Sequence, residues 1–179
     1  MKKVLFILAM ILPFAAFAQE DAKKLTKFEE FSSKTGSIVK FVDTSLPKLS
    51  VQYGGSLETG IRTLKSGTNA YFYRLEKAET SSSNAKIAMV EYSDLVEINK
   101  ALAVLSAEVD TDVASNPDYL ENKFKTVDGF EVGYYVSKGE AQWFLKLERY
   151  SRSTVFVKDK SLVIDAFSNA QAKIEELKK

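Results

Sequence analysis

Apolar residues change their spacing several times along the chain, and each change marks an element. Leu25, Phe28 and Phe31 recur at a loose helical spacing in a polar stretch, which predicts an arm or short helix over 19–36. Ile-Val-Lys-Phe-Val at 38–42 alternates as a strand, and a second short strand follows at 49–53, beyond Pro47. Gly54-Gly55 then turns the chain. From Leu57 to Val90 the apolar period is two, with turns marked by glycine and serine, which predicts a meander of antiparallel strands. Asp94, with Glu97 three positions on, reads as the start of a helix whose stripe is Leu95, Ile98, Leu102, Leu105 and Val109. Acidic and polar residues around Asn116-Pro117, about 111–122, read as a linker. Strands then return as far as Val157. A second helix, capped by Asp159 or Ser161, carries Val163, Ala166, Phe167, Ala170, Ile174 and Leu177.

The return is visible residue by residue. Leu57-Glu58-Thr59-Gly60-Ile61 and Phe130-Glu131-Val132-Gly133-Tyr134 share apolar-Glu-x-Gly-apolar at an offset of 73. Ala70 to Glu76 matches Gln142 to Glu148 at an offset of 72, and Ala88-Met89-Val90 matches Val155-Phe156-Val157 at 67. The offsets change at turns, where insertions cost least. The expectation is an α+β fold made of two diverged repeats, about 49–110 and 123–179. Each would be an antiparallel meander of three or four strands followed by one helix. Neither repeat has much apolar surface of its own, so the two are expected to share one core in a single domain over 37–179.

Alternation also sorts the strands into faces. Tyr71, Tyr73 and Leu75 share one side, as do Trp143, Leu145 and Leu147, and that side is expected under the helices. The other side carries Ala70, Phe72, Arg74 and Glu76 in the first repeat. In the second it carries Gln142, Phe144, Lys146 and Glu148, with Glu131, Gly133 and Tyr135 beside them. Aromatic rings with basic neighbours suit contact with a partner or an extended ligand, so Arg62, Phe72, Arg74, Tyr135, Phe144 and Lys146 are the candidate site residues. The competing expectation is that the N-terminal segment covers these rings, or that they pack across strands.

Composition narrows the chemistry. The chain of 179 residues is 45% hydrophobic and 27% charged, the mixture of a globular domain. It has no cysteine and no histidine, which excludes thiol nucleophiles, disulfides, Ser-His-Asp triads and imidazole metal ligands. Met1-Lys2-Lys3, an apolar run over 4–17 and Ala16-Phe17-Ala18 form a secretory signal peptide, with cleavage expected after Ala18. Pro13 interrupts the run, which is shorter than the ~20 apolar residues of a bilayer span. Removal of residues 1–18 leaves 23 basic against 24 acidic side chains, a net charge of −1, and no apolar stretch long enough to span a membrane. The protein is expected to be exported, to the periplasm or the extracellular medium.

Catalytic patterns are sparse. No P-loop and no G-x-G-x-x-G is present. Ser83-Asn84-Ala85-Lys86 and Lys65-Ser66-Gly67 imitate S-x-x-K and K-T-G, but in the wrong order and setting for a serine β-lactamase. Glu108, Asp110 and Asp112 lack the turn glycine and closing glutamate of a calcium loop and read as a solvated helix end. Glu58 and Glu131 are the one carboxylate pair with a symmetry argument. No catalytic residue, metal site or cofactor is therefore expected.

The repeated order of curved strands and a helix, with aromatic and basic residues on the open sheet face, resembles the Whirly and Pur-alpha group of single-stranded nucleic-acid binders. The resemblance runs over residues 50–179 and rests on that order and on Trp143-Phe144-Leu145-Lys146-Leu147-Glu148. It implies sheet-face binding of nucleic acid, but a net charge of −1 and export both argue against that ligand. The leading expectation is an exported, non-enzymatic protein that binds another envelope protein or itself. A small-ligand-binding or carboxylate-based hydrolytic protein is the alternative.

Overall fold

Alternation in the strands and three-and-four spacing in the helices produce the same arrangement twice: four antiparallel strands, then one long helix. The computed structural model describes residues 25–33, 36, 38–66, 68–78, 85–148 and 154–179. The signal peptide over 1–18, the arm up to residue 24, and Ser83, Asn84 and Gly67 of the lactamase-like motifs lie outside these residues. The elements are α1 (Lys27–Ser32), β1 (Lys40–Ser50), β2 (Ser56–Ser66), β3 (Thr68–Lys77), β4 (Lys86–Glu91) and α2 (Tyr92–Ala114). After them come β5 (Leu120–Lys125), β6 (Glu131–Ser137), β7 (Glu140–Lys146), β8 (Thr154–Val157) and α3 (Lys160–Leu177). Two sheets result, ordered β1-β2-β3-β4 and β5-β6-β7-β8, with every pairing antiparallel.

Three boundaries differ from the sequence reading. The strands expected on either side of Pro47 are one, β1. Its ladder to β2 slips between Leu46 and Leu49, because proline has no N–H to give and the strand bulges there. Helix α2 starts two residues before Asp94. Glu91 is its N-cap, its carboxylate accepting from the Ser93 N–H at 2.8 Å, and Asp94 lies in the first turn. The stretch read as a linker is mostly ordered, since α2 continues to Ala114 and β5 begins at Leu120.

The helices hold the halves together by exchange. Helix α2 packs on β5, β6 and β7 as well as on β3 and β4, whereas α3 packs on β1, β2 and β3 and on β8. Leu95, Ile98, Leu102, Leu105 and Val109 of α2 and Val163, Phe167, Ala170 and Ile174 of α3 are buried in one core with both sheets. Tyr73 meets Phe167 edge-on at 5.2 Å, and Phe130 lies 5.8 Å from the same ring. Tyr73, Leu75, Trp143, Leu145 and Leu147 point into this core, as alternation required.

The ladders give the two sheets a common register. Gly60 faces Ser45 and Arg74, and Gly133 faces Lys123 and Phe144. A Cβ on Gly60 would lie 2.8 Å from the Thr44 carbonyl oxygen; one on Gly133 would lie 2.2 Å from that of Asn122. At the matching point of each sheet the edge strand therefore presses its backbone onto a glycine. These contacts agree with the sequence match of β2 to β6, and Met89 and Phe156, next in the same rows, agree with that of β4 to β8. Strand β7 is different. Phe144 stands opposite Gly133 as Arg74 stands opposite Gly60, so β7 is displaced by two residues from its sequence match. A two-residue slip preserves the faces, which is why alternation alone could not reveal it.

Candidate functional site

The outer faces of the two sheets differ. On the first, α1 lies across the strands. Its capping box pairs Thr26 with Glu29, and Lys27 ties it down: the backbone N–H donates to Asp128 at 2.9 Å and the ammonium donates to Asp94 at 2.7 Å. Phe28 and Phe31 sit edge-on to Phe72 at 5.2 and 5.9 Å, and Phe72 with Leu64 and Ala70 forms a second small core under Phe28, Val39 and Met89. Of the candidate residues on this sheet, Phe72 is therefore wholly buried. Arg62 is held by a fork of two bonds to Asp43, at 2.8 and 2.6 Å, and lies over the Phe41 ring. Arg74 is paired with Glu76, and its buried Nε has no partner among the described residues.

The second sheet brings the other three candidates together. Tyr135, Phe144 and Lys146 line one shallow depression of about 320 Å³, with Glu121, Lys123, Glu131, Thr154 and Phe156. All eight come from the sheet itself. Cross-strand pairing sets the floor: Lys123, Gly133, Phe144 and Phe156 form one row, and Lys125, Glu131, Lys146 and Thr154 form the next. Tyr135 meets Phe156 edge-on at 6.2 Å and stacks on Tyr119 at 6.1 Å. Because Gly133 has no side chain, the floor beside Phe144 is left low.

Electrostatics organise the second row. Glu131 is 3% exposed, yet its carboxylate faces three ammonium groups, Lys123 at 3.0 Å, Lys125 at 3.1 Å and Lys146 at 3.6 Å. Burial pushes its carboxyl up, but the lysines together outweigh burial and hold it below the usual carboxylate range. Glu121 sits 2.5 Å from Lys123 and accepts from the Tyr119 hydroxyl at 2.5 Å. Both contacts lower its carboxyl, and the two carboxylates raise Lys123.

Other sequence candidates are occupied in different ways. Glu58 and Glu131 lie on different sheets, and Glu58 pairs with Lys48 at 2.5 Å, so they do not form a carboxylate pair. Glu108 and Asp112 bind α2 to the second sheet, accepting from Asn122 at 2.9 Å and from Tyr134 at 2.6 Å. Burial and the Asp112 carboxylate push the Tyr134 phenol up to about 12. Among the described residues no group of three carboxylates could hold a metal ion, and no helix is long and apolar enough to cross a membrane.

The sequence reading did not single out Lys123, Lys125, Phe156 or Tyr119. The signal for the lysines was present, since Glu121, Lys123 and Lys125 alternate with Leu120, Asn122 and Phe124. No protein-family model matches the chain, no curated protein matches its sequence, and no solved structure matches its fold.

Proposed function

We propose that the chain is an exported, non-enzymatic binding protein, built from two diverged copies of a four-strand-and-helix unit, whose partner engages the outer face of the second sheet. The duplication is supported by the matched glycines. Gly60 and Gly133 take the same close approach from their edge strands, although little sequence identity surrounds them. Export is supported by the signal-peptide pattern ending at Ala18. One observation carries the binding reading: the two outer faces are built alike, but only the first is closed by α1. Among the described residues the second keeps half-buried Tyr135 and Phe156 at a shallow depression beside a buried Phe144, with lysines at its margin. Aromatic anchors with a charged rim are the composition of a protein-binding patch.

The test is site-specific photo-cross-linking in the cell that makes the protein. A photoreactive residue at position 135 should give one discrete adduct. The same residue at position 104, on the exposed side of α2, should give none, and Lys146→Glu should abolish the adduct at 135. Equal labelling at both positions, or none at either, would remove the second sheet as the binding surface.

A further inference from the structure

The first sheet shows in cis what an outer face of this fold accepts. Phe28 and Phe31 stand three positions apart, on one side of α1, and lay their rings on Phe72. The two residues between them are Glu29 and Glu30, so the helix presents aromatic rings flanked by carboxylates. The second sheet offers an aromatic floor of its own, half-buried Phe156 with half-buried Tyr135 edge-on to it, opposite a Phe144 that is itself buried. It adds positive charge at the margin. Lys125 and Lys146 have no carboxylate partner other than Glu131 among the described residues, and they share it with Lys123. Three ammonium groups face two carboxylates, Glu131 and the Glu121 that also pairs with Lys123. This leaves a net positive charge and lysine donors for an incoming anion, and such charges steer and orient an acidic partner.

We infer that the outer face of the second sheet docks a short amphipathic helix of a partner protein, one that carries two aromatic side chains three residues apart flanked by carboxylates. The inference rests on the reading of that face as the binding surface. A helix laid in a shallow groove buries its i and i+3 anchors and leaves the neighbouring positions at the rim, where the lysines stand. A second copy of this chain is the weaker occupant. Its own α1 is already committed to Phe72 and tied by Lys27 to Asp94 and Asp128.

Residues 25–33, Leu-Thr-Lys-Phe-Glu-Glu-Phe-Ser-Ser, have the required chemistry, and a peptide of that sequence is the probe. It is titrated into the isotopically labelled full chain while backbone amide shifts are followed. The expected result is saturable shifts confined to β5–β8. Affinity should fall about tenfold with Lys146→Glu or with the more exposed Lys125→Glu, the loss of one charge-assisted contact. A peptide with serine in place of both phenylalanines should not bind. Shifts centred on Phe72 and Phe41 would mean that the peptide merely replaces α1, and would overturn the inference. So would the absence of shifts, or self-association through the face in sedimentation. If the peptide fails while position 135 still cross-links a partner in cells, the occupant is wrong and the face is right. If both fail, the face itself is wrong.

Discussion

Replacing Glu131 by glutamine keeps the shape of the side chain and removes the one charge that three ammonium groups face. The Glu131 side chain is 4% exposed, whereas the lysine side chains are 37%, 51% and 27% exposed. The lysines can therefore rehydrate, and each contact is closer in value to a surface pair, about 0.2–1 kcal/mol, than to a buried one. Three such contacts set the loss at about 2 kcal/mol. For a chain of this size that lowers Tm by about 4–8 °C. The pH dependence has a definite sign. The folded-state pKa of Glu131 is depressed, so its contribution is complete above the ordinary value of 4.5 and is lost as pH falls through the lower folded value. Thermal unfolding by circular dichroism should thus show wild type and Glu131→Gln well separated near neutrality and converging in acid. Superimposable melts at neutral pH would refute the claim that this carboxylate holds the lysine ring together. A gap that stays constant into strong acid would refute its electrostatic origin.

Glycine substitutions should separate crowding from backbone strain. Gly133→Ala puts a Cβ 2.2 Å from the Asn122 oxygen and should cost about 3 kcal/mol or prevent folding, whereas Gly139→Ala, at φ +76° with 3.8 Å of room, should cost about 1 kcal/mol, as read by denaturant titration. Among the described residues no group completes a hydrogen bond of good geometry with the buried Tyr73 hydroxyl, and the neighbouring Thr59 hydroxyl donates to the Pro47 carbonyl, so Tyr73→Phe should leave stability unchanged or raise it by up to about 1 kcal/mol. A clear loss would show that the hydroxyl has a partner in solution. Phe28→Ala should cost about 1–2 kcal/mol and increase binding of a hydrophobic dye, because it uncovers Phe72; no change in dye binding would mean that α1 is not the cover of the first sheet.

Much of this was legible in the sequence, and the failures have physical reasons. The apolar stripe of α2 was readable residue by residue, because a helix that buries one face must repeat at three and four. Strand faces were readable for the same reason at period two, which placed Phe72 and Phe144 opposite the helices. Alternation cannot say what lies over a face. Which of the two faces α1 covers depends on where it docks, and that is fixed by contacts of Lys27 with Asp94 and Asp128, 67 and 101 residues away. The slip of β7 was hidden because shifting a strand by two residues changes no face. Lys125 and Lys146, on different strands, meet only through Glu131, and nothing local in the sequence marks that meeting.

The exchange of helices sets an order of assembly. The inner face of the first sheet, with Tyr73 at its centre, is completed by Phe167 and by the rest of α3, the last element in the chain. A polypeptide that emerges from its N-terminus therefore carries an apolar sheet lined only in part, by α2 on β3 and β4, until α3 arrives. Closing that gap requires contacts of very long sequence separation, a topology that folds slowly. Under the export proposed above, such a delay would keep the chain unfolded, and threadable, until α3 is through.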